Sequence, residues 1–178
     1  MRIMDLRTER IVLRRLTADD VDDLVELDSD PEVMRFLTNG RPTPREVIAD
    51  EVLPAQLRIA ERFPALGRWA AEDPATGAFL GWFALDPAED GRQAELGYRL
   101  RRAVWGRGLA TEGSRALVAY GLGDLGLDRV WAQTMAVNTA SRRVLEKAGL
   151  RYVRTFHVHF DDPIPGTELG EVEYERRR

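Results

Sequence analysis

The stretch Tyr98 to Thr111, YRLRRAVWGRGLAT, holds residue types whose spacing suits anion binding. A β-rich segment ends, Gly106 and Gly108 follow with Arg107 between them, and a patterned helix begins. Glycines permit left-handed backbone and close ligand approach. A helix start presents unpaired N–H groups and positive potential to an anion. These residues suit a pyrophosphate held by the N–H groups of about Arg107 to Thr111. A tight strand-to-helix turn with solvated arginines accounts for the same letters. The dinucleotide fingerprint is absent, because Thr111 stands where a third small residue is wanted. The Walker loop is absent too, since no Gly-Lys-Ser/Thr occurs.

A second stretch, Asn138-Thr139-Ala140-Ser141, places an Asn at a strand end and a Ser one turn into a helix. Asn138 is a good helix cap in its own right. Ser141 gains chemical interest only if both helix starts face one ligand. His157 and His159 alternate along one strand with no third ligand pattern beside them, which favours a surface or cleft role and no metal. Asp161 and Asp162 suit a turn.

The composition narrows the classes. A chain of 178 residues suits one domain spanning 1–178. Its 44% hydrophobic and 31% charged residues are those of a globular protein. No apolar run approaches the roughly 20 residues of a membrane helix, and the first ten residues lack a signal-peptide core. With no Cys there is no disulfide framework or thiol nucleophile, which fits a cytoplasmic protein. A net charge of −4 implies no nucleic-acid partner. Lys147 is the one lysine among 26 basic residues, a bias of coding composition more than of function.

The elements that must position these residues follow from periodicity and punctuation. Arg10 to Arg14 reads as a first strand. Thr17-Ala18-Asp19-Asp20 is a capping box opening a helix that ends by Pro31. A short helix through Val33, Met34 and Phe36 leads to a loop over 38–43. A second long helix runs from Thr43 to about Arg62 and should bend or break at Pro54. Strands over 68–72, 78–85 and 93–100 form a meander. From Leu109 to Gly121 the apolar and small residues follow helical spacing, with Ala110, Gly113 and Ala116 allowing close approach to a sheet. A strand over 129–137, a helix over 139–148 closed by Gly149, and strands over 150–160 and 168–175 complete the chain. The order predicts an α/β (α+β) mixed sheet with helices on both faces, whose crossovers through 109–122 and 139–148 make parallel neighbours.

Trp105-Gly106-Arg107-Gly108-Leu109-Ala110-Thr111-Glu112 together with Asn138-Thr139-Ala140-Ser141-Arg142-Arg143-Val144-Leu145-Glu146-Lys147-Ala148-Gly149-Leu150 closely resembles the GNAT superfamily of acetyl-CoA-dependent N-acetyltransferases. The opening Leu-Arg-Thr-Glu-Arg-Ile-Val-Leu-Arg and Ala94 to Tyr98 resemble its ribosomal-protein N-terminal alanine and serine acetyltransferase branch. The resemblance covers about residues 6–160. It implies a GNAT-like splayed sheet, opening between strands 93–100 and 129–137, with acetyl-CoA as co-substrate. The backbone of Tyr98, Arg99 and Leu100 would pair with the pantetheine arm. Gly106, Arg107, Gly108, Leu109, Ala110 and Thr111 would hold the pyrophosphate. Asn138 would bond the pantetheine or tie the splayed strands, and Arg142 or Arg143 would reach the 3′-phosphate. Trp105 stands where the family usually has Gln or Arg.

Two departures bear on mechanism. Leu145 occupies the place where many members carry the Tyr that protonates the departing thiolate. Ser141 is the nearest hydroxyl and the candidate general acid. Gln133 stands where some members have a Glu base, so the candidate base is Glu95, which also suits a strand-face or ion-paired carboxylate. Phe36, Asn39 and Trp82 are candidate acceptor-wall residues, with the 36–43 and 161–166 loops flanking the cleft. The oxyanion would be met by backbone N–H groups on strand 129–137 or near Leu100. The expected activity is direct acetyl transfer in a ternary complex to a primary amine, on a peptide N-terminus or a small molecule, by a monomer or homodimer. A non-catalytic acyl-CoA sensor on the same fold and a nucleotide-binding module are the competing readings.

Overall fold

A computed structural model describes residues 6–178. Eight strands form one sheet in the order β1-β2-β3-β4-β5-β6-β8-β7. They are β1 (Leu6–Arg7), β2 (Val12–Arg15), β3 (Gly67–Glu72), β4 (Phe79–Pro87), β5 (Gln93–Leu100), β6 (Arg129–Met135), β7 (Arg151–Phe156) and β8 (Glu171–Arg177). β5 and β6 are parallel, and every other neighbouring pair is antiparallel. The helices are α1 (Val21–Ser29), α2 (Arg35–Thr38), α3 (Arg45–Val47), α4 (Leu53–Arg62), α5 (Leu109–Ala119) and α6 (Thr139–Lys147).

Strand alternation builds a separate core on each face. Phe83, Leu85 and Leu96 pack with Leu109, Leu117 and Val118 of α5 and Leu145 of α6. On the other face Ala70, Trp82 and Ala84 pack with Leu24 and Leu27 of α1, Ile48, and Leu53 of α4. A register shift beside Gly81 turns Leu80 into the first core, with Phe83. Burying each such side chain stabilises the fold by about 1.5–3 kcal/mol. The two faces therefore hold different helices against the same strands.

Local chemistry sets the helix ends. Thr17 and Asp20 complete the predicted capping box, Thr17 accepting from the Asp19 N–H and Asp20 from the Thr17 N–H. Asp20 is also held by Arg14, which reaches Glu72 as well. Pro54 neither ends nor breaks its helix. A π-helical turn, Ile48–Val52, precedes it and absorbs the lost hydrogen bond and the clash with the carbonyl four residues back. A second π turn, Tyr120–Asp124, ends the α5 rod.

The crossover through α5 makes β5 and β6 parallel neighbours, as its pattern predicts. The crossover through α6 does not. β8 lies between β6 and β7, antiparallel to both. Burial explains the insertion: Val172 and Tyr174 of β8 are buried and Glu173 pairs with Arg129, whereas most of β7 is exposed and takes the edge. The final strands are shorter than their sequence patterns: β7 stops at Phe156, and Thr167–Leu169 is a 3₁₀ turn before β8. β1 lacks a sequence signature because it is only two residues long.

Close approach of α5 depends on Gly113, where a Cβ would lie 2.3 Å from Cζ of the fully buried Phe83. Ala at this helix-interior position would gain about 1 kcal/mol of propensity. Overpacking costs about 1–3 kcal/mol, and a contact this short lies at the upper end. Gly113→Ala should therefore lower unfolding stability by about 1–2 kcal/mol in urea denaturation. Equal or higher stability would show that Phe83 can move aside freely.

Candidate active site

β5 and β6 pair at three positions only, Gln93↔Arg129, Ala94↔Val130 and Glu95↔Trp131. Beyond Glu95 the two strands part while each stays paired with its outer neighbour, β4 or β8. Their facing edges keep backbone N–H and C=O groups without a strand partner, and such groups seek partners. The gap widens into a cavity of about 1160 Å³ that reaches both faces of the sheet. It is lined by β5 from Glu95 to Leu100, the glycine turn, the start of α5, and Ala132 to Met135 of β6. Asn138, Ser141 and Arg143 also border it.

At one end lies the glycine turn. Gly106 has φ +71° and Gly108 φ +78°, both in the left-handed region that disfavours a side chain. A Cβ on Gly106 would meet nothing within 4 Å, and one on Gly108 only the tip of Arg10. Glycine thus serves backbone shape and open space here, not internal packing. Gly108 caps α5 without a side-chain bond, and the first backbone bond of the helix runs from the Glu112 N–H to the Gly108 carbonyl. The N–H groups of Leu109, Ala110 and Thr111 therefore remain as helix-start donors beside the cavity. Open space, free donors and a helix dipole together fit the pyrophosphate of coenzyme A.

The turn is braced from outside by residues to which the sequence assigned no role. Glu112 accepts from the Thr8 hydroxyl (2.6 Å), the Arg10 N–H (2.9 Å) and Arg10 Nε (2.7 Å). These bonds hold the Glu112 carboxyl below its usual range, against the opposing effect of burial. Arg10 Nη1 also donates to the Arg107 carbonyl at 2.8 Å. Both partners lie in the quoted motifs, yet only the fold brings them together. Trp105 Nε1 donates to the Leu100 carbonyl at 2.9 Å, fastening the turn to the end of β5.

On the α5–α6 face, the Tyr98 and Ser141 hydroxyls are hydrogen-bonded at 3.0 Å. Asn138 caps α6 by accepting from the Ser141 N–H at 3.2 Å, which fixes the serine. Burial pushes the Tyr98 phenol up to about 12, with the Ser141 bond opposing. Tyr98 therefore keeps its proton at any working pH. The sequence supplied Tyr98 for its backbone alone, but the fold also delivers a phenol beside Ser141. Leu145 is buried at the cavity wall.

On the opposite face Glu95 lines the cavity without a hydrogen-bond partner among the described residues. Its carboxyl is pushed up to about 7, chiefly by burial, then by Asp86 and Glu173. Trp82 lines the same region between two guanidiniums, with Arg68 Cζ 3.8 Å and Arg99 Cζ 5.2 Å from its ring centre. Phe36 completes this wall.

Of the residues singled out in the sequence, Asn39, Arg107 and Arg142 do not line the cavity. Asn39 is the left-handed cap of α2. Arg107 contributes its carbonyl to the Arg10 brace. Arg142 bonds the Tyr174 hydroxyl and the Ala136 carbonyl, each at 3.1 Å, and is thereby drawn onto the sheet. Arg143 is the member of that pair at the cavity. Arg101 and Arg102 bind acids of the α1 region, Asp23, Glu26 and Asp30, instead of facing the turn. His157 contacts the Glu168 carbonyl and His159 is exposed, both away from the cavity wall. Among the described residues no helix is long and apolar enough to cross a membrane.

Comparison with known proteins agrees with this geometry. The profile of the Acetyltransferase (GNAT) domain matches residues 10–151. An FsC-acetyl coenzyme A-N(2)-transacetylase of Aspergillus fumigatus is 38% identical over 178 residues, covering 95% of this chain and 74% of that protein. Among solved structures, the ribosomal alpha-N-protein acetyltransferase RimL bound to coenzyme A superposes with a TM-score of 0.81 at 15% identity, over 98% of each chain. Spermidine N-acetyltransferase of Vibrio cholerae with CoA and spermine gives 0.77 at 18%, over 96% of each chain. Parted parallel strands, a glycine turn at a helix start and a matching domain profile converge: this chain belongs to the GNAT family of acetyl-CoA-dependent acetyltransferases.

Proposed function

We propose that the protein transfers the acetyl group of acetyl-CoA directly to a primary amine held on the Glu95 face of the gap. The observation that carries this is the placement of two opposite proton-handling groups on the two faces of one short strand. Glu95 and Tyr98, three residues apart on β5, point to opposite sides. Glu95 borders the cavity with a carboxyl poised near 7, suited to accept a proton at neutral pH. Tyr98 and Ser141 border it with hydroxyls that remain protonated there.

The steps follow from that arrangement. The free edges of β5 and β6 and the N–H groups at the start of α5 hold the coenzyme, with Arg143 at the cavity wall for its terminal phosphate. The acceptor enters beside Phe36 and Trp82 as an ammonium ion. Glu95, directly or through one water, takes an N–H proton, and the freed lone pair attacks the thioester carbon. Backbone N–H groups at the parted strands meet the oxyanion. As the C–S bond breaks, the new amide nitrogen gives up its second proton to solvent, while Ser141 donates a proton to the thiolate and is reprotonated from solvent by way of Tyr98. The A. fumigatus relative is named for transfer to an N(2) position, which supports an amine acceptor. The acceptor we propose is a small-molecule amine or a peptide N-terminus.

Thiol release from acetyl-CoA across a panel of primary amines should be acceptor-dependent; silence with every amine would overturn the proposal. Ser141→Ala combined with Tyr98→Phe should lower kcat by about 10²-fold or more, while acetyl-CoA affinity by calorimetry changes little. Unchanged kcat would remove the hydroxyl pair from the mechanism. Glu95→Gln should also lower kcat and erase the acidic limb near pH 7. Because the folded-state carboxyl is raised, Glu95 stabilises the fold below its unfolded value of about 4.5, and this contribution is lost as pH rises through 7. The Gln variant should therefore be no less stable than the parent at pH 8, so lost turnover there is not lost folding.

A further inference from the structure

The acceptor face carries a second carboxylate with no part in the steps above. Asp86 of β4 is the register partner of Glu95 on β5, so the two side chains stand next to each other on one face of the sheet. Both line the cavity. Asp86 Oδ1 is buried without a hydrogen-bond partner among the described residues. Its Oδ2 lies 3.8 Å from Arg68 Nη2, an ion pair without hydrogen-bond contact. Arg68 is itself positioned by stacking on Trp82, and its Nε also lacks a partner.

We propose that Asp86 is a positioning residue for acetyl transfer: its carboxylate, adjacent to Glu95, disfavours a second negative charge and so keeps Glu95 basic enough to deprotonate the acceptor. This rests on Glu95 being the base. Two adjacent carboxylates resist ionising together, and the environment decides which one keeps the proton. The asymmetry here is set by Arg68, which faces Asp86 and leaves Glu95 unpaired. Charge accordingly sits on Asp86 and the exchangeable proton on Glu95. The other charged group acting on Glu95 is Glu173 of β8, whose charge is offset by Arg129 and Arg154. Gln133 of β6 donates to Glu173 as well. On β5 itself, Arg99 is engaged with Asp28 of α1. Asp86 is thus the adjacent carboxylate least neutralised by hydrogen bonds.

The proton balance is simple. The acceptor N–H bond breaks, its proton moves to a Glu95 oxygen, and the electron pair stays on nitrogen to form the C–N bond. The pair is then singly charged, and when Glu95 releases the proton to solvent through the open cavity it returns to the doubly ionised state in which Glu95 can accept again.

The test is the pH profile of kcat/KM, measured for the parent, Asp86→Asn, Asp86→Glu and Glu95→Gln. The parent limb should fall near pH 7 and vanish in Glu95→Gln. In Asp86→Asn it should move about one pH unit lower, making the rate at pH 6, relative to its own plateau, about fivefold higher than in the parent. Asp86→Glu should restore the parental limb. Retention of the limb in Glu95→Gln would sink the base assignment. Its loss in Glu95→Gln together with an unmoved limb in Asp86→Asn would overturn the Asp86 proposal alone, leaving Glu95 in place. Reduced activity in Asp86→Asn with the limb unmoved would mark a structural residue.

Discussion

The whole arrangement depends on two parallel strands ceasing to pair. β5 and β6 share three residue pairs and then diverge, although each remains fully engaged with its outer neighbour. A continuous sheet would satisfy more backbone groups internally. Here the fold leaves two facing edges inside its own interior, where unpaired N–H and C=O groups are costly unless something bonds them. Coenzyme and acceptor are the partners we propose for those edges. Cores on both faces hold β4 and β5 in place, with Phe83 and Leu96 packed against α5 and Trp82 and Ala84 against α1 and α4.

Because side chains alternate along β5, a single strand can serve two chemically distinct compartments. Even-numbered Tyr98 faces the α5–α6 side, where Ser141 and the helix starts gather. Odd-numbered Glu95 and Arg99 face the side of α1, near Trp82 and Asp86. In the mechanism we propose, the thickness of a strand separates the group that gives a proton from the group that takes one. Burial raises both, keeping the phenol protonated and making the carboxyl more basic, so one physical cause suits the two groups to the opposite roles proposed for them.

Much of this was legible in residue order. The glycine turn, the close-packed helix after it and the capping Asn138 each have a local physical signature, and the structure realises each of them. What the sequence could not supply was long-range assembly. Thr8 and Arg10 reach Glu112 across about a hundred residues, and no local pattern announces that contact. The insertion of β8 between β6 and β7 follows from comparing the burial of two distant strands. Arg142 and Arg143 are adjacent and alike in type, and only the position of Tyr174 decides which one leaves the cavity. Pro54 misled in a different way: a proline predicts an interruption, but a π turn can absorb it without ending the helix.

In the proposed mode of binding, free backbone donors at the parted strand and the glycine turn hold the coenzyme. Amide hydrogen exchange with and without saturating coenzyme A addresses it most directly. Strong slowing is expected at residues 96–100 and 106–111, with little change at edge-strand residues 151–155, which do not line the cavity. Coenzyme binding that left exchange at 96–100 and 106–111 unaltered would contradict it.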